Sequence, residues 1–79
     1  MALYKTPGFL GAATDAVFDQ ANSPGTAAPR SGIYRCTHCG SEAVSTQGNS
    51  LPPQGHHSHP ASAGAVLWQL IVYADHTAK

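Results

Sequence analysis

Ser31-Gly-Ile-Tyr-Arg-Cys36-Thr-His-Cys39-Gly40-Ser-Glu-Ala-Val-Ser-Thr46 is the stretch that decides the reading of this chain. Gly32 to Arg35 is a short β-type run, and Glu42 to Thr46 is a second one. Between them sits Cys36-x-x-Cys39-Gly40. Two thiolates at this spacing can bind one ion from a single tight turn. Gly40 allows the left-handed backbone that such a turn tends to require, and the N–H groups of the turn can then bond the sulfurs. One such pair is half of a tetrahedral site, so the other half is expected downstream, on another knuckle.

Downstream lies Gln54-Gly-His56-His57-Ser-His59-Pro60. Sixteen residues separate Cys39 from His56, and His59 follows after two more, giving C-x2-C-x16-H-x2-H. That spacer falls in the roughly 15–20-residue range of paired zinc knuckles. Thiolate and imidazole both suit Zn²⁺, so Cys36, Cys39, His56 and His59 are the expected ligands. The x2 spacing of His56 and His59 mirrors the first knuckle. His57 is the alternative ligand, through C-x17-H-x-H. His38 lies between the cysteines and is expected to point outward, and His76 reads as a tail residue. A thioredoxin-like dithiol needs a βαβ setting, and none is visible.

With these residues in view, the chain resembles zinc-ribbon proteins. The match runs from Ser31 through Cys36-Thr-His-Cys39-Gly40, then Gly48, then Leu51-Pro52-Pro53 before the second knuckle, and ends at Trp68 on a late strand. It also looks like a group of small bacterial proteins, some labelled "protein L" (not the immunoglobulin-binding one). The resemblance covers about residues 31–73. Zinc ribbons usually place a second Cys-x-x-Cys straight after a Pro-Pro of this kind, whereas those positions here are Gln54 and His57. The resemblance implies a fold and a zinc ion, and no activity.

Composition explains why a metal would matter. The chain has 79 residues, enough for one small domain. Its 42% apolar content includes 13 alanines, while Leu, Ile, Val and Phe together number 13. That share lies below the ~20% at which compositions begin to look disordered, although the zero formal net charge lacks the charge half of that signature. A chain this short buries too little surface for comfortable stability, and small domains close the gap with disulfides, a metal or a partner chain. Two cysteines three positions apart close only a short loop, the least helpful kind in the loop-entropy account.

Outside the knuckles, residues 1–31 read as an N-terminal arm rich in Ala, Gly, Pro, Thr and Ser, loosely docked or partly disordered. Ala13 to Ala21 is expected to form about two helical turns behind Thr14 as N-cap, and Asn22-Ser23-Pro24-Gly25 ends them. Gln47-Gly48-Asn49 carries turn chemistry, after which Ser50-Leu51 resumes a strand. Residues 65–74 are the best strand, with Val66, Trp68, Leu70 and Val72 on one apolar face. Trp68 reads as core packing beneath the metal site. Residues 76–79 are a polar tail.

The expectation is therefore a small, mostly β, zinc-ribbon-like three-stranded antiparallel sheet over residues 32–75. Its zinc is structural and its role is that of an interaction or adaptor module. The expected partner is another protein, with a homodimer through strand 65–74 as one form. Metal handling of Zn, Ni or Cu by the His-rich loop is the alternative. A nucleic-acid-binding ribbon is disfavoured, because four Lys and Arg against four Asp and Glu make no polyphosphate surface. Asp15, Asp19, Glu42 and Asp75 are scattered through different segments and form no acid/base couple, so no enzyme is expected. The longest apolar run, 65–74, is half the length of a membrane-spanning helix, no signal peptide is visible, and the expected compartment is the cytoplasm, where paired thiols stay reduced.

Overall fold

The computed structural model describes residues 1–53 and 64–74. Three strands form one sheet: β1 (Gly32–Cys36), β2 (Glu42–Ser45) and β3 (Trp68–Tyr73). Their spatial order is β2-β1-β3, with both pairings antiparallel. The mostly β architecture and the three antiparallel strands agree with the sequence reading.

The two faces of the sheet differ. On the inner face, β1 places Tyr34 and Cys36, which pair in register with Leu70 and Trp68 of β3. These four side chains, with Leu51, Val66 and Ala28, make up the core. Tyr34 closes a local ring: its hydroxyl donates to the Arg30 carbonyl at 2.6 Å and accepts from the Arg30 N–H at 3.1 Å. A buried phenol thereby keeps its polar tip satisfied.

The alternation of β3 does not run through to its end. Ile33 pairs with Val72 but Tyr34 pairs with Leu70, so Ile71 is an extra residue, a β-bulge. The bulge shifts the phase by one, and a shift of one moves side chains to the other face. Val72, expected beside Trp68 and Leu70, is therefore not in the core, and Tyr73 takes its place against it. Gly32 makes the bulged approach possible, since a Cβ there would collide with the Val72 carbonyl and sit 2.7 Å from Tyr73 Cα.

Part of residues 1–31 packs on the sheet, chiefly the stretch around Val17 and Phe18 against β3. The expected helix over 13–21 is a single 3₁₀ turn, Ala16–Asp19, with no side-chain cap bond, preceded by another at Pro7–Phe9. So few residues cannot offset helix nucleation, and tertiary contacts shape this segment instead. Phe18 stacks on Tyr73 at 5.4 Å between centroids, Tyr73 Oη donates to Asp15 at 2.7 Å, and Gln69 Nε2 donates to the Phe18 carbonyl at 2.6 Å. Asn22 then forms a two-bond bridge with Trp68 on the outer edge of β3. Ser50-Leu51 does not extend a hairpin from β2. Ser50 bridges Ala27, and the Leu51 N–H donates to the Thr26 carbonyl, so this segment pairs with the arm.

Candidate metal site

The sheet positions the first knuckle. β1 ends at Cys36 and β2 begins at Glu42, and the five residues between make the turn. The Gly40 N–H donates to the Cys36 carbonyl at 2.9 Å, and the Cys36 N–H donates to the Ser41 carbonyl at 2.7 Å. Gly40 has φ +80°, the left-handed conformation expected of it, and a Cβ there would meet the Arg35 guanidinium at 3.0 Å. One closed turn thus carries both thiols.

The two thiols differ in access. Cys36 is fully buried on the inner face, directly across from Trp68, while Cys39 is exposed. The Cys39 Sγ lies 3.6 Å from Ser41 Oγ. His38 is exposed, as the sequence reading held. A buried cysteine behaves as a small apolar side chain, and Cys36 packs in the core.

The expected second half of the site, His56, His57 and His59, lies outside the described residues, as does His76. Of the described residues on either side of that segment, Leu67 is bonded to the knuckle and Pro52 to Trp68, which pairs with Cys36. On the entering side, Trp68 Nε1 donates to the Pro52 carbonyl at 3.0 Å. On the returning side, the Thr37 N–H donates to the Leu67 carbonyl at 2.9 Å. Trp68 is the common element: its Cα faces Cys36, its indole holds Pro52, and its backbone accepts the Asn22 bridge. Trp68 is a core residue, as its place on the apolar face of the strand predicts, and its N–H adds a tether that apolar periodicity could not reveal. Among the described residues alone, no group of three or more His, Cys, Asp or Glu side chains comes together.

Comparison with known proteins finds one relative. Over 53 residues, 67% of this chain, the sequence is 51% identical to a protein of Escherichia coli named "Protein L". The chain is similar to a bacterial protein. The aligned stretch makes up 60% of that relative, so the chain spans less than two thirds of its length. No family model matches the chain, and no solved structure matches it. Among the described residues, no helix is long and apolar enough to cross a membrane.

Proposed function

We propose that the chain is a small zinc-binding module in which Cys36 and Cys39 supply two thiolates and the segment 54–63 supplies two imidazoles, His56 and His59, with His57 as the alternative. The observation that carries this reading is the double tether at the knuckle. Pro52 and Leu67, the described residues leading into and out of the His-bearing segment, are both hydrogen-bonded to residues at or facing Cys36. Fixing Pro52 and Leu67 near β1 shortens the span over which imidazoles must be brought to the thiols, and a lower closure cost favours binding. The donor set also fits the ion, because two thiolates with two imidazoles form a standard tetrahedral zinc shell.

In this reading the ion is structural. Its binding free energy becomes folding free energy and supplements a core that, among the described residues, holds seven buried apolar side chains. Four protein ligands leave no open position for a reacting water, and the module serves by binding another protein. Elemental analysis of the untagged chain, joined to NMR spectra with and without a chelator, tests the reading. One zinc per chain and loss of spectral dispersion on chelation are expected. No zinc, with an unchanged spectrum, would overturn it. One exchangeable ion with the fold intact would favour metal handling.

A further inference from the structure

The two edges of the sheet are treated differently. The outer edge of β3 is occupied at Trp68, whose N–H and C=O both bond Asn22 of the arm. The outer edge of β2 carries one side-chain contact, the Met1 ammonium 3.4 Å from Glu42 Oε1, and no backbone bond among the described residues. Cys36 bonds Ser41, and the register then makes Tyr34–Ala43 and Gly32–Ser45 the hydrogen-bonded pairs of β1 and β2. Glu42 and Val44 therefore turn their N–H and C=O groups away from β1, and these four groups have no partner among the described residues. Natural edges are protected by shortness, charged side chains, proline or a bulge. β2, Glu-Ala-Val-Ser, is short and carries one charge, Glu42, but has no lysine, proline or bulge, and its Val44 is 80% exposed.

We propose that this edge is the contact between two copies of the chain, paired antiparallel about a two-fold axis through the two Ala43 residues. The argument for a second copy as the occupant is self-complementarity. In that register Glu42 of one copy faces Val44 of the other, and the reverse holds across the axis. Every open N–H then meets an open C=O, four bonds in all, with none left over. Each exposed Val44 side chain packs on the methylene stem of the opposing Glu42. No like charges stand directly opposite; the two Glu42 carboxylates are diagonal neighbours, each neutralised by the Met1 ammonium of its own chain, and the chain has zero formal net charge. The Glu42 carboxylate stays within its own chain, with Oε2 buried and Oε1 3.4 Å from the Met1 ammonium. The result is one continuous six-stranded sheet. This edge lies on the opposite side of the sheet from strand 65–74, through which the sequence pattern predicts a homodimer.

Sedimentation of the full chain from micromolar to millimolar concentration, with amide exchange followed by NMR, tests the proposal. A reversible monomer–dimer equilibrium is expected, with exchange at Glu42 and Val44 slowing as dimer forms. Val44→Pro removes an outward N–H and leaves the bonds to β1 intact, and Val44→Lys adds a charge at an exposed site without touching the core. Either is expected to raise the dissociation constant roughly tenfold to a hundredfold. The second variant keeps the test decisive if the proline disturbs folding. A chain that stays monomeric at millimolar concentration, or a dimer that survives both substitutions unchanged, would overturn the proposal.

Discussion

The knuckle end of the sheet and the N-terminal arm are built on opposite plans. At the knuckle, Tyr34, Cys36, Val66 and Trp68 are fully buried, and hydrogen bonds from three separate segments converge on Trp68 and its neighbours. In residues 1–22 nothing is fully buried, while Met1, Leu3, Tyr4 and Phe9 each leave most of their surface in water. A groove of about 970 Å³ opens between Phe9–Ala13 and the sheet residues Ile33, Val72 and Tyr73. The lesson is that this fold concentrates its few large side chains around one indole and holds the arm by separate polar contacts. Stability should therefore be steeply uneven along the chain.

The strongest way to break the contrast is Trp68→Ala. It removes the largest core side chain and the donor to Pro52, and should cost about 3–5 kcal/mol, enough to leave so small a domain largely unfolded at room temperature by circular dichroism. A variant that unfolds at the same urea concentration as the wild type would show that the core is organised elsewhere. Gly40→Ala should cost about 1–2 kcal/mol, because the left-handed backbone penalises a Cβ and the Arg35 guanidinium must also move. Its readout is the urea midpoint. Asp15→Ala acts on the arm alone. Losing the Tyr73 hydroxyl contact should cost about 1 kcal/mol or less, speeding amide exchange at residues 15–22 while the β1 amides keep their protection. Equal loss of protection in both regions would erase the distinction. The finest probe is thiol access: in metal-free protein a small alkylating agent should modify exposed Cys39 well before buried Cys36, with mass spectrometry reporting the order.

The sheet was legible because its signals are local. Cys-x-x-Cys-Gly fixes a turn, β-branched and aromatic residues flank it, and strand 65–74 alternates cleanly up to Leu70. Beyond Leu70 the pattern misleads, because the Ile71 bulge is set across the strands by the missing side chain of Gly32. Periodicity within one segment holds no record of that approach. The arm was harder for the same reason. Thr14 and Asp15 suggest a helix start, but Asp15 is held by Tyr73, 58 positions away, and only one 3₁₀ turn forms. Ser50 pairs with Ala27 through contacts that no short-range rule encodes. At the candidate site, the sequence marked Cys36 and Cys39, and the turn that carries them was foreseen from Gly40. The tethering of Pro52 by Trp68 was not, since an indole donor leaves no trace in hydrophobic spacing.

Cobalt substitution tests the zinc reading most directly, because the absorption of bound Co²⁺ reports both its geometry and its thiolate ligands. The account predicts that one equivalent of Co²⁺ gives intense tetrahedral d–d bands with sulfur-to-metal charge transfer, that Zn²⁺ displaces it, and that Cys39→Ser weakens the charge-transfer band. A pale six-coordinate spectrum, identical with and without the two cysteines, would contradict it.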